Sequence, residues 1–326
     1  MDEPEVTPDQ DANERLTRSH PVFGSTAFLR LWIAQIVSAF GDWIGFLAII
    51  EIARRIGGDQ PGSAIALVMV ARVLPGFFLA SVGGVIVDRV NRKRLLIGCD
   101  ILRALVLLTI PFIERVWALV LASLLLELAT SLWGPAKEAI VPNLVPKEQL
   151  TAANSLSLVA AYGTFPLAAG AFIGLAKLAE WLGGSAIGQV EWALALDALT
   201  FLIAAGLIAT LPIGARRRQE KKSGPIDLAQ GVLELREGWS FIAISPHVRA
   251  VLVGLATGMI GGGMLIPLGA VYNDVVLGAG NAGFGTILVT LGMGVAAGVS
   301  LLSALQRRLD KERGFIGAVF GAGGCL

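Results

Sequence analysis

At 326 residues, 55% hydrophobic and only 16% charged, the chain falls well below the roughly 25% charged content of a soluble domain. The apolar residues gather in long runs separated by charged loops, which is the pattern of an all-α polytopic membrane protein and excludes a large water-soluble core. Lys and Arg total 26 against 25 Asp and Glu, a net charge of +1, so no global positive field speaks for nucleic acid.

Residues 1–26 are polar and acidic, with no apolar segment. They predict a disordered tail and no cleavable signal peptide. A first spanning helix is expected over about Phe28–Ile52, containing Asp42 and ending near Glu51, Arg54 and Arg55. A second covers about Ser63–Val87, with Arg72 and Pro75 inside, and a third Leu95–Ile113, with Asp100 and Arg103. After a very short turn at Glu114 and Arg115, a fourth runs from Val116 to about Trp133 and carries Glu127. Residues 134–150 contain Pro135, Pro142 and Pro146, which argue against a long continuous helix there. A fifth span is expected over Thr151–Ala179 and a sixth over Trp192–Leu211, where Asp197 is read as structural.

The longest polar interruption, 213–247, holds Arg216, Arg217, Arg218, Lys221 and Lys222, and its portion Leu228–Ile244 suits an amphipathic helix lying along the membrane face. The basic run beside a span is an orientation signal and an anionic-lipid contact rather than a nucleic-acid patch. Glycine-rich Val248–Tyr272 and then Ala282–Leu305 read as a seventh and an eighth span, followed by a charged loop from Arg307 to Arg313. The last apolar run, from Gly314 to Leu326, is shorter than the about 20 residues a hydrocarbon core requires. The expected organisation is a tail (1–26), a six-helix half (27–212), a basic linker (213–247) and a partial second half (248–326).

Loops on one side of this alternation hold most of the Lys and Arg, which predicts a cytoplasmic N terminus; Arg54 and Arg55 run against it. Cys99 lies in an apolar run and Cys325 is penultimate, so no disulfide is expected and Cys99 reads as a small buried apolar residue. His20 and His247 sit at loop edges without ligand spacing, and no Walker motif occurs. No metal, cofactor, ATP hydrolysis or enzyme chemistry is therefore expected.

The loop between the second and third spans, G-G-V-I-V-D-R-V-N-R-K-R-L-L, carries Gly84, Ile86, Asp88, Arg89, Arg92, Lys93 and Leu96. It resembles the G-x-L-a-D-r-x-G-r-k-x-x-l signature of the major facilitator superfamily, with Asn91 where the family has Gly. Asn tolerates a left-handed backbone better than other non-Gly residues. In that family the acidic and basic residues of this loop latch the two halves on the cytoplasmic side. The segments F-L-R-L-W-I-A-Q-I-V-S-A-F-G-D-W, R-V-L-P-G, D-I-L-R-A-L, G-P-A-K-E-A-I-V-P-N-L-V and A-L-D-A-L-T-F-L are similar to the enterobactin-exporter and macrolide-efflux branch. The resemblance implies a major facilitator fold and a proton-driven exporter of small amphipathic compounds, working by alternating access. Its implied partners are a small-molecule substrate, protons and the bilayer, and it implies a monomer when complete. Gly163, Pro166, Gly170 and Gly174 of the fifth span are similar to a Gly/Pro motif of exporters in which the helix bends; ordinary small-residue packing is the alternative.

Charge at mid-bilayer costs at least about 2.5 kcal/mol, so such residues face a cavity or a partner. Asp42 is the first candidate for a proton or cationic-substrate site and Glu127 the second. Asp42 alternatively forms a structural pair with Arg72 or Arg103, and Asp100 and Arg103, three apart on one helix, neutralise each other. Two rival readings stand beside transport: a truncated, non-transporting membrane fragment, and a receptor or scaffold.

Overall fold

A computed structural model describes residues 23–181, 186–211 and 239–278, with scattered positions between 286 and 297. Every regular element among them is helical, as a chain crossing lipid requires when each backbone polar group must be satisfied within its own segment. Helix α1, Thr26–Ile56, starts where the Ser25 hydroxyl accepts the Phe28 amide at 3.0 Å, a side-chain cap on an otherwise orphan donor. It ends at Gly57, with Gly58 turning the chain at φ 54°. Helix α2, Pro61–Arg89, opens on a proline, whose missing amide is no loss in the first turn. Helix α3, Arg92–Thr109, continues into a 3-10 turn, Ile110–Phe112.

Asn91 does not adopt the left-handed backbone that its place in the loop suggested. It is extended, at φ −70° and ψ 108°, and its Oδ1 accepts the Arg94 amide at 3.1 Å. It acts as the cap of α3, a role in which Asn outperforms Gly.

Helix α4, Val116–Glu138, runs past Pro135 rather than stopping before it. The proline falls one turn from the helix end, where the Ala139 amide still bonds back to the Pro135 carbonyl at 2.9 Å. Burial of Trp133, Ala136 and Lys137 holds that last turn in place. The expected break follows it: two 3-10 turns, Val141–Asn143 and Lys147–Gln149, lead into α5, Leu150–Tyr162. The fifth predicted span is divided, because α5 stops and α6, Phe165–Trp181, begins after Gly163 and Thr164. The cause is Pro166, which lacks the amide that a continuous helix would direct at the Tyr162 carbonyl, and whose ring crowds it. Helix α7 spans Ala186–Ala209.

The packing of this first unit has an internal order. Helix α1 packs most closely on α7 and also on α5 and α6; α2 packs on α4; α3 packs on α7 and α4. Exchanging α1 with α4, α2 with α5–α6 and α3 with α7 maps these principal pairings onto one another. That is the arrangement of two three-helix repeats of opposite topology. The buried cluster at one end joins Phe28, Leu31, Leu96, Cys99, Trp133, Ile140 and Ile208, and the thiol of Cys99 is free. The outward faces are apolar too: Leu102 and Leu105 of α3, Leu121 of α4, and Leu199 and Leu202 of α7 are exposed. A water-soluble fold avoids such patches; a lipid-facing one requires them. Phe112, Trp117, Trp181 and Trp192 are exposed where α3 ends, α4 begins, α6 ends and α7 begins. These ends all lie on one side of the alternation, and they form an aromatic belt of the kind found at a membrane–water boundary.

Five described helical stretches, Thr26–Ile56, Arg92–Phe112, Val116–Asn143, Lys147–Ala179 and Val190–Ala209, are long and apolar enough to cross a membrane. The second unit contains α8, Pro246–Tyr272, which continues into a π-helical turn, Asn273–Leu277, and ends at Gly278 with φ 58°. Of the expected amphipathic stretch, residues 239–244 are helical and 228–238 lie outside the described residues, as do the basic run 216–222, the charged loop 307–313 and Cys325.

Candidate functional site: a belt of ionisable residues at mid-depth

Six ionisable residues of the first unit sit near the middle of their helices. Asp42 lies within about one turn of the midpoint of α1, and the same holds for Arg72 in α2, Asp100 and Arg103 in α3, Glu127 in α4 and Asp197 in α7. Helices crossing the same bilayer bring such positions to one depth.

Two contacts within the belt are ion pairs. Asp42 Oδ1 accepts Arg72 Nη2 at 3.0 Å, joining α1 to α2. The Asp42 side chain remains 34% exposed while Arg72 is 11% exposed, so the carboxylate stays open to an incoming group on one side. Arg72 also lies 5.4 Å from the centre of the Phe46 ring, a cation–π arrangement that orients the guanidinium. The second pair, Asp100 with Arg103, closes within α3 and is buried on both sides. Arg103 sits between the rings of Phe201, at 4.1 Å, and Trp133, at 5.5 Å, with Nη1 at 3.5 Å from Thr130 Oγ1. Asp100 and Arg103 thus form an enclosed pair, whereas in the Asp42–Arg72 pair the carboxylate stays partly exposed.

Glu127 is half-buried and feels the charges of Arg72, Asp42 and Arg103. Asp197 is 1% exposed and interacts with Asp42, Arg72 and Arg103. The sequence reads Asp197 as structural, and the fold buries it between α7 and α1. It packs where α1 has Gly41 and Gly45, and a Cβ on either would collide with the Asp197 carboxylate, or with the Thr200 hydroxyl. Thr200 donates to the Asp197 carbonyl at 2.7 Å. The four-residue glycine spacing allows the α1 and α7 backbones to approach closely enough to seat a carboxyl between them.

The residues of the second-to-third-span loop divide. Gly84, Asp88 and Arg89 fall in the last two turns of α2, with side chains outside the described residues. Arg92 donates to the Ala139 carbonyl at the end of α4, at 3.0 Å, and Lys93 to the Leu211 carbonyl just past α7, at 2.7 Å. Both cations therefore sit on helix C-termini, where the orphan carbonyls and the helix dipole favour positive charge. In the Gly/Pro motif, a Cβ on Gly163 would fall 2.6 Å from the Val159 carbonyl oxygen, whereas one on Gly170 or Gly174 meets nothing within 4 Å among the described residues. Gly163 and Pro166 thus shape the break, and no close packing within this unit depends on Gly170.

Neighbouring polar contacts tie α1 to α5. Trp32 Nε1 donates to the Leu156 carbonyl at 2.8 Å, Gln35 Nε2 to the Ser157 carbonyl at 3.0 Å, and Trp43 Nε1 to the Ala161 carbonyl at 2.8 Å. Buried Lys137 approaches Gln35 Oε1 at 3.4 Å. These partners are invisible in a one-dimensional reading, since more than a hundred residues separate them along the chain. No group of three or more potential metal ligands occurs among the described residues.

Apolar outward faces, an aromatic belt and paired charges held at mid-depth define a multi-pass α-helical membrane protein whose interior is built to handle charge. The chain belongs to the major facilitator superfamily: residues 18–325 match its family described as transmembrane secretion effector. Among curated relatives it is 25% identical over 240 residues to an uncharacterized MFS-type transporter, YfiS, of Bacillus subtilis (strain 168), covering 73% of this chain and 54% of that protein. It is 25% identical over 254 residues to another from the same organism, YkuC, covering 75% and 56%. It is 34% identical over 131 residues to macrolide efflux protein A of Streptococcus pyogenes, covering 38% of this chain and 31% of that protein. The chain therefore spans about half the length, or less, of the curated relatives it matches.

Proposed function

We propose that the protein is a secondary exporter of small amphipathic compounds, driven by protons and working by alternating access, with Asp42 as the group that exchanges its arginine for a proton or a cationic substrate. The observation that supports this most is the charge balance of the belt: four carboxyls, Asp42, Asp100, Glu127 and Asp197, face two guanidiniums, Arg72 and Arg103. One carboxyl, Asp100, is committed to its buried arginine, so Asp42, Glu127 and Asp197 share Arg72 and the remaining field of Arg103. Such a surplus in a low-dielectric interior calls for protons or a bound cation. Asp42 is the member with both a partner and an open side. The matched macrolide efflux protein is named for export, in keeping with this direction.

In this reading the chain lies in the bacterial inner membrane with its N terminus cytoplasmic. Residues 27–212 form the first half, 213–247 the linker, and 248–326 belong to the second half; Asp88 and Arg89 serve the cytoplasmic latch. Arg54, one of the two cations on the opposite side, is paired with Glu51 at 2.6 Å.

The test is efflux of a fluorescent lipophilic cation and of a macrolide from cells lacking their major pumps and expressing the 326-residue chain. Uncoupler-sensitive efflux that is lost in Asp42→Asn, with membrane insertion intact, is the expected result. Undiminished efflux in Asp42→Asn removes Asp42 from the mechanism, and efflux that persists with an uncoupler removes the proton.

A further inference from the structure

The accessible ion pair and the broken helix are physically joined. Arg72 rests on the Phe46 ring, Phe46 meets Trp43 edge-on with centroids 5.9 Å apart, and Trp43 meets Phe165, the first residue of α6, at 4.8 Å. The indole of Trp43 also donates to the Ala161 carbonyl at 2.8 Å, in the last turn of α5. Asp42 precedes Trp43 directly on α1. From Arg72 to the break at 163–164 there is thus a path of contacts through two aromatic rings that meet edge to face, an arrangement aromatic pairs favour.

The break itself is held from two directions. Pro166 removes the donor that would carry the helix through Tyr162, and the Thr164 hydroxyl donates to the Ala160 carbonyl at 3.3 Å. Thr164 belongs to the bend itself, so it stabilises the bend whatever α1 does. The Trp43 bond comes from α1, from the residue that follows Asp42 of the ion pair. The other charges within reach of the pair are Glu127 on α4, Asp197 on α7 and Arg103 on α3.

We infer that Trp43 is a positioning residue that couples the state of the Asp42–Arg72 pair to the bend between α5 and α6. When Asp42 gives up Arg72, the guanidinium leaves its seat on Phe46, the Phe46–Trp43 contact relaxes, and the indole's hold on Ala161 weakens. The bend then gains freedom at the moment the site is loaded. The inference rests on the exporter reading for its purpose, but its physical content, a coupling between two places, can be measured without transport.

The experiment is hydrogen–deuterium exchange of the full chain in lipid nanodiscs, following the segment 160–168 in four proteins: the parent, Asp42→Asn, Trp43→Phe and the double variant. Trp43→Phe keeps a ring and removes the donor; exchange in the segment should rise about fivefold, the change that roughly 1 kcal/mol of lost hydrogen bond corresponds to. Asp42→Asn should raise exchange there in the parent background and leave it unchanged in the Trp43→Phe background. Thr164→Val serves as the second variant: it should raise exchange by itself yet leave the response to Asp42→Asn intact, which a merely structural role for Trp43 does not predict. An equal response to Asp42→Asn with and without the Trp43 indole overturns the coupling, as does an unchanged segment in Trp43→Phe. Coupling without efflux leaves this inference standing and defeats the exporter reading; efflux without coupling does the reverse.

Discussion

Replacing Arg103 with Gln should be among the most damaging single changes in the first unit. Asp100 is 0% and Arg103 4% exposed, so the substitution strands a carboxylate that has no water to turn to. Breaking a buried pair by removing one partner costs about 3–5 kcal/mol. The loss of the cation between Phe201 at 4.1 Å and Trp133 at 5.5 Å falls in the same direction. The two side chains are each other's ion-pair partner, so removing both charges should hurt less than the sum of the separate changes: Asp100→Asn with Arg103→Gln should recover about 2 kcal/mol relative to additivity, within the range measured for contacting residues. Reversible unfolding in mixed detergent micelles, followed by far-ultraviolet circular dichroism, measures all three variants. An Arg103→Gln protein within about 0.5 kcal/mol of the parent, the range typical of uninvolved surface sites, would refute the reasoning, and so would strict additivity.

Gly45→Ala should lower stability by about 1–3 kcal/mol in the same assay, because the new Cβ collides with the Asp197 carboxylate in a seat with no slack. The loss should be smaller in an Asp197→Ala background, and an equal loss there would show that the clash is not with Asp197. Lys93→Met keeps the aliphatic stem and removes the 2.7 Å bond to the Leu211 carbonyl. It should raise amide exchange at the end of α7 severalfold, as a net hydrogen bond of about 0.5–1.5 kcal/mol implies, while exchange in the middle of α7 stays unchanged; a uniform change would point to global destabilisation instead.

The helices of the first unit and their charges were legible in the sequence because hydrocarbon thickness imposes a length and a composition that a single chain cannot hide. Asp42, Arg72, Asp100, Arg103 and Glu127 stand out as charges inside apolar runs, and their shared depth follows from counting along each run. Their division into an open pair and a sealed pair was not legible, since that depends on whether Phe201 and Trp133 or solvent surround the guanidinium. The seat of Asp197 was not legible for a similar reason: it is formed by Gly41 and Gly45, on a helix more than 150 residues away in sequence. Pro135 and Pro166 show how one residue type yields two outcomes. Near the end of α4 a proline is absorbed by buried neighbours, while after Gly163 and Thr164 it ends one helix and begins another. Local propensity predicts a disturbance at each, and tertiary packing decides which becomes a bend.

Arg92 and Lys93 have a consequence for how the chain comes to rest in its membrane. In an unfolded, newly inserted chain their charge biases the loop toward one face of the bilayer. In the folded unit the same two side chains are spent closing the ends of α4 and α7. The charges that bias this loop toward one face are thereby also fastenings of the folded unit, and moving the loop across the bilayer would require undoing both helix ends at once.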